Sequence, residues 1–136
     1  PHQKMSKSLP SGCLFLSDSP QEIKKKIMSA TTDSHKEIGY DPKGRSAVSN
    51  LIDIYAAFSG MTTEAVVKKF KNAGYATFKV ELAGLISSHL TPFRKKRTAL
   101  MKDRKFVMKV LSDGARVASL IATKKMTGVE KQVGLI

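Results

Sequence analysis

Apolar residues recur at spacings of three and four in five separate stretches, and polar or small residues divide the stretches from one another. In the first, Ser19-Pro20-Gln21-Glu22 is a helix start: Ser19 can cap, Pro20 suits the first helical position, and Glu22 can bond back to the Ser19 amide. Ile23 and Ile27 then share a face with Met28 and Ala30 close by, while Lys24, Lys25 and Lys26 fan outward as a solvated face. A second helix is predicted over Ser46 to Ser59, with Val48, Leu51, Ile52, Tyr55 and Phe58 on one stripe and Gly60 as its stop. Ser49-Asn50 breaks that stripe, and a buried Asn50 that pins a neighbouring loop is the expectation. Thr62 caps a short third helix through Val66, Val67 and Phe70, ended by Asn72-Ala73-Gly74.

The longest pattern runs from Tyr75 to Met101 through Phe78, Leu82, Leu85, Ile86, Leu90 and Phe93, and Pro92 is expected to kink it near His89. The last helix is predicted over Asp103 to Gln132, with Phe106, Val107, Val110, Leu111, Val117, Leu120 and Ile121 apolar. Ala115, Ala118 and Ala122 would admit a second helix closely, which offsets the roughly 1 kcal/mol that Gly114 costs relative to alanine. Cys13 to Leu16 reads as a buried extended piece, and residues 31 to 45, with Gly39, Pro42 and Gly44, as a long ordered loop in which Asp33 and Ser34 cap backbone groups. No stretch alternates with period two. The pattern therefore predicts an all-α fold, a bundle of about five helices.

Charge changes that picture in one half of the chain. Residues 1 to 65 hold 8 basic and 7 acidic side chains, and residues 66 to 136 hold 16 and 4, within a net charge of +13. Arg94, Lys95, Lys96 and Arg97 are followed by Lys102, Arg104, Lys105 and Lys109, with Asp103 as the one opposing charge in that run. Such a cluster repels itself unless an anion compensates it, so Arg94 to Arg97, Lys102, Arg104 and Lys105 are candidate RNA backbone contacts. No aromatic residue stands between Arg94 and Arg97, so base stacking by that cluster is not indicated. No apolar run reaches the roughly 18 to 20 residues of a spanning helix, and no membrane association is expected. The single cysteine, Cys13, excludes an internal disulfide or a paired-cysteine metal site, and His2, His35 and His89 make no ligand spacing. No metal site is expected in the chain itself.

The chemistry of the N-terminal residues is of a different kind. Lys4-Met5-Ser6-Lys7-Ser8 places two lysines three positions apart with hydroxyls between and after them, a composition suited to wrapping a triphosphate. The five residues spell the KMSKS signature of class I aminoacyl-tRNA synthetases. Together with Ala30-Thr31-Thr32-Asp33-Ser34, Val48-Ser49-Asn50-Leu51 and Gly74-Tyr75 followed by Phe78-Lys79, they make nearly the whole chain resemble the tryptophan-specific branch of that family, of bacterial and organellar type. Leu9 stands where most members carry an acidic residue directly after the signature.

The resemblance implies that residues 1–18 are the KMSKS loop and the tail end of a Rossmann-like catalytic domain, and residues 19–136 a helical, anticodon-binding domain. It implies that Lys4 and Lys7 are catalytic and that Lys4, Met5, Ser6, Lys7 and Ser8 bind ATP. No glycine-rich turn of a nucleotide-binding domain is present, so the chain is expected to be the C-terminal portion of a longer enzyme, cut just before its KMSKS loop. The parent would be a cytoplasmic homodimer that uses ATP, Mg2+ and tryptophan and acts on tRNA(Trp). The fragment is expected to be monomeric and inactive. A fragment of the tyrosine enzyme and a non-catalytic basic helical RNA-binding module are the alternatives.

Overall fold

The computed structural model describes residues 12–35 and 37–136. Among the described residues five helices follow one another: α1 (Pro20–Ser29), α2 (Ser46–Ser59), α3 (Thr63–Phe70), α4 (Tyr75–Lys102) and α5 (Arg104–Gln132). No strand occurs among the described residues. The all-α class and the five helices are as expected. The chain divides into two compact units, one ending at Arg94 and one running from Lys95 to Ile136.

Helix ends in the first unit follow from local chemistry. Ser19 Oγ accepts the Glu22 N–H at 3.2 Å, and Glu22 Oε2 accepts the Ser19 N–H at 2.7 Å, so two orphan donors of α1 are satisfied reciprocally. Thr62 Oγ1 accepts the Ala65 N–H at 3.3 Å and starts α3. Gly60 ends α2 at φ +71°, where a side chain would be strained, and its N–H donates to the Ala56 carbonyl at 2.9 Å.

The core of this unit joins Ile23 and Ile27 of α1, Val48, Ile52 and Tyr55 of α2, Val66 and Phe70 of α3, and Phe78, Leu82 and Ile86 of α4. Ile38 adds an anchor from the loop before α2. Phe70 lies edge-on to Phe78 at 5.0 Å and to Tyr55 at 5.2 Å, the arrangement aromatic quadrupoles prefer. Burial along α4 stops at Ile86, and Phe93 is half exposed. The helix continues through Pro92.

Three expectations are corrected in this unit. Ser49, not Asn50, is the buried polar residue of α2, and its Oγ accepts the Asp41 N–H at 2.9 Å. One residue is about 100° of helix rotation, enough to turn Asn50 out to solvent while Ser49 stays over the core. Lys26 is not part of a solvated face, because it pairs with Asp18 at 2.6 Å. Leu16, placed in a buried extended piece by the pattern, is exposed, and only Cys13 of that piece is buried.

In the second unit α5 has no buried residue. Leu120 and Ile121 are 63% and 67% exposed, and Ala115, Ala118 and Ala122 are exposed too, so the close helix packing expected there is not found. An apolar stripe states which face seeks cover, not what provides it.

Candidate functional site

Lys4, Met5, Ser6, Lys7 and Ser8 lie outside the described residues. The chain that follows them is fastened to α1. The Asp18 N–H donates to the Phe15 carbonyl at 3.0 Å, the Phe15 N–H donates to Asp18 Oδ2 at 2.9 Å, and Lys26 Nζ donates to the same oxygen. That ammonium also stands 4.7 Å from the centroid of the Phe15 ring. Burial is the largest influence on Asp18 and disfavours its charge, but Lys26 and the Phe15 amide together outweigh it and hold the carboxyl below its ordinary value. A crevice of about 320 Å³ opens beside this clasp, between Cys13 and Leu14, the end of α1, and Asn50 and Ile54 of α2.

A second fastening ties the loop before α2 to the start of α4. Arg45 donates from Nε to Asp33 Oδ2 at 2.7 Å and from Nη2 to Asp33 Oδ1 at 3.2 Å, a forked pair with the carboxylate. Tyr75 donates its hydroxyl to Asp33 Oδ1 at 2.5 Å and accepts from Arg45 Nη2 at 2.7 Å. The Glu37 carbonyl takes a further bond from Arg45 at 2.7 Å. The guanidinium is the main reason the Asp33 carboxyl is held far below the usual carboxylate range; burial opposes it, and Tyr75 adds to the lowering. Gly39 fits against this node because a Cβ there would collide with the guanidinium. Asp33 also accepts the His35 N–H at 3.0 Å, so backbone capping is present but is the lesser of its duties.

Lys79 is buried on α4 and donates to the carbonyls of Met28 at 3.2 Å and Ala30 at 2.6 Å. It thus satisfies acceptors left over at the C-terminal end of α1, where a cation is also favoured by the helix dipole.

The basic candidates fall into two groups. Lys95, Lys96, Arg97 and Lys102 are exposed on the last turns of α4, and Arg104 and Lys105 on the first turn of α5. Asp103, the acidic residue among them, accepts the Phe106 N–H at 3.0 Å and caps α5. Arg94 is different. Its Nη2 donates to the Ser87 carbonyl at 2.8 Å and to Thr91 Oγ1 at 2.9 Å, one turn from the donor that Pro92 lacks, and its Nη1 is buried with no hydrogen-bond partner among the described residues. The side chain lies along its own helix as a brace for the proline turn.

Of the residues that do this fastening, Asp33, Tyr75 and Lys79 lie in the motifs that carry the family resemblance, whereas Asp18, Lys26 and Arg45 do not. Neither partner of Asp18 or Asp33 is fixed by local spacing. Arg45 follows Asp33 by 12 positions across a loop, and no helical or strand period connects them.

Residues 1–91 match the family described as tRNA synthetases class I (W and Y). A tryptophan–tRNA ligase of Rickettsia prowazekii is 40% identical over 136 residues, which cover 98% of this chain and 41% of that protein. A tryptophan–tRNA ligase of Caldanaerobacter subterraneus is 39% identical over 138 residues, covering 100% of this chain and 42% of that protein. This chain therefore spans about two fifths of the length of the curated relatives it matches. A solved structure, tryptophanyl-tRNA synthetase from Mycoplasma pneumoniae, superimposes with a TM-score of 0.55 at 25% identity, over 69% of this chain and 30% of that one.

Proposed function

We propose, from the premise that the chain belongs to the class I tRNA synthetases of the tryptophan and tyrosine type, that it is the C-terminal portion of a tryptophan–tRNA ligase. The observation that carries this reading is the family match over residues 1–91, a span that contains Lys4 to Ser8. Relatives named tryptophan–tRNA ligase match nearly all of the chain, which favours tryptophan over the tyrosine alternative. The same match disfavours a free-standing basic module.

In the parent enzyme ATP and tryptophan form an aminoacyl adenylate with release of pyrophosphate, and the tryptophanyl group then passes to tRNA(Trp). Residues 1–18 belong with the catalytic domain and residues 19–136 form the tRNA-binding domain. Lys4 and Lys7 place two positive charges where negative charge develops on the departing pyrophosphate, and the hydroxyls of Ser6 and Ser8 direct hydrogen bonds to its oxygens. The donor set fits a triphosphate. It holds no carboxylate, so Mg2+ comes with the nucleotide and is not ligated by this stretch.

Lys95, Lys96, Arg97, Lys102, Arg104 and Lys105 meet the RNA backbone and supply affinity without reading sequence. The parent is a cytoplasmic homodimer. This chain by itself is a monomer without ligase activity.

Pyrophosphate exchange by the full-length parent, wild type against Lys7→Ala, tests the reading. Tryptophan should support exchange and tyrosine should not, and the substitution should lower the rate by about 100-fold or more, as loss of one preorganised charge donor does. Exchange that is indifferent to Lys7→Ala, or supported only by tyrosine, rejects it.

A further inference from the structure

Asp18 is the first charged side chain after Lys7, so no residue from 8 to 17 can be fastened by charge. Asp18 is buried, and its Oδ2 accepts both the Phe15 N–H at 2.9 Å and Lys26 Nζ at 2.6 Å, which closes the turn at residues 15–18 and ties it to α1 through one atom. Cys13 is buried just before the turn, and the half-buried Phe15 ring packs under the same ammonium. Lys24 and Lys25 of the same helix are exposed, so Lys26 differs from them in placement and not in charge. The helix that carries it is rigidly seated. Ile23 and Ile27 sink α1 into the core, and Lys79 of α4 binds the carbonyls at its C-terminal end.

We propose that Asp18 and Lys26 are positioning residues for adenylate formation: they fix the point on α1 from which the chain reaches back to Lys4 and Lys7. The inference rests on the reading in which those two lysines meet the triphosphate. Phe15 stands seven positions after Ser8, and an extended chain advances at most about 3.6 Å per residue, so the clasp keeps Ser8 within roughly 25 Å of a fixed point. Breaking the clasp lengthens that tether and enlarges the volume open to the two ammonium groups. A charge donor stabilises a transition state only when it is already aimed at the developing charge, and a misplacement of about 1 Å costs up to about 100-fold in rate. The lysines serve the leaving pyrophosphate and not the amino acid. Loss of the clasp therefore lowers kcat and leaves KM for tryptophan in place.

The test is pyrophosphate exchange by the full-length parent, with urea midpoints recorded for every variant. Lys26→Met and Asp18→Asn should each lower kcat about tenfold with KM for tryptophan within about twofold of the wild type, whereas Lys26→Arg, which keeps a cation beside Asp18, should hold kcat within about twofold. Lys25→Met, which removes the exposed neighbouring charge, and Val66→Ala, which loosens the core at α3, should leave kcat unchanged. In a Lys7→Ala background Lys26→Met should lower kcat no more than about threefold further, because the charge it positions is already gone. The inference is overturned if Lys26→Met and Asp18→Asn lower kcat no more than Val66→Ala does, if Lys26→Arg falls as far as Lys26→Met, or if the full tenfold loss persists in the Lys7→Ala background; in each case a wild type that exchanges with tryptophan leaves the ligase reading intact. If the wild type shows no tryptophan-dependent exchange, the ligase reading fails and the positioning role with it.

Discussion

Val48 and Ile52 of α2 and Val117 and Ile121 of α5 share the same four-residue apolar spacing, yet the first pair is fully buried and the second is 50% and 67% exposed. The two helices differ in their surroundings rather than in their pattern. Short links carry the chain from α2 to α3 and from α3 to α4, so that apolar faces from four elements meet before any one of them is long. Only one residue, Asp103, separates α4 from the 29 residues of α5, and the helix completes its backbone hydrogen bonds within itself. Charge divides the same way. Residues 1 to 94 hold 13 basic and 8 acidic side chains, and the three ion pairs among the described residues lie there; residues 95 to 136 hold 11 and 3. The first unit pairs six of its charges in these three bridges, whereas no ion pair occurs among the described residues of the second.

The largest effect that would break this contrast is on stability. Phe78→Ala removes a fully buried ring that touches Tyr55 and Phe70, and it should cost about 3 to 5 kcal/mol in urea unfolding. Ile121→Ala should change stability by no more than about 0.5 kcal/mol, as surface substitutions do. An equal loss for both would mean that α5 has a core of its own.

The Asp33 node sharpens the comparison at the next level down. Its carboxyl has a lower pKa in the folded chain than in the unfolded one, so the unfolded state takes up the proton first as pH falls. The node's contribution is therefore fully present above the unfolded value near 4, and it is lost progressively as pH falls below that. Asp33→Asn, which leaves Arg45 without its charged partner, should destabilise the chain by about 1 to 3 kcal/mol at neutral pH and flatten that acid-side decline. Urea midpoints at pH 7 and pH 3 measure both. A variant that loses stability with pH as steeply as the wild type would show that other carboxylates dominate the decline.

Helix identity was legible in the sequence because caps and stripes are local: Ser19 with Glu22, Thr62, and Gly60 each act within a few residues of where they stand. Lys4 to Ser8 stand out on the same local ground, as a short run of cations and hydroxyls, but they lie outside the described residues. What stayed hidden was pairing across loops. Asp33 read as a backbone cap because nothing in its neighbourhood names Arg45 and Tyr75, and Lys26 read as one of three equivalent lysines because Asp18 lies on a turn outside the helix. Rotation about a helix also escaped by a single position, since Ser49 and Asn50 are both small polar residues and only the packed core distinguishes them.

The smallest effect separates two neighbours that the sequence presents as one cluster. Arg94 and Lys96 both belong to the run Arg94 to Arg97, but Arg94 Nη2 is committed to the Ser87 carbonyl and Thr91 while Lys96 is exposed. In RNA titrations across a range of salt, Lys96→Ala should lower the slope of log K against log salt by about 0.7 to 0.9, the value of one phosphate contact, with little change in stability. Arg94→Ala should leave that slope unchanged and cost about 1 kcal/mol of stability, because it removes a charged donor from a carbonyl at the proline turn. Arg94→Lys keeps the charge but not the planar fork that reaches both Ser87 and Thr91, so it should restore little of that loss. If Arg94→Ala instead lowers the salt slope as Lys96→Ala does, the guanidinium leaves its helix to meet RNA, and the basic surface begins at Arg94 rather than at Lys95.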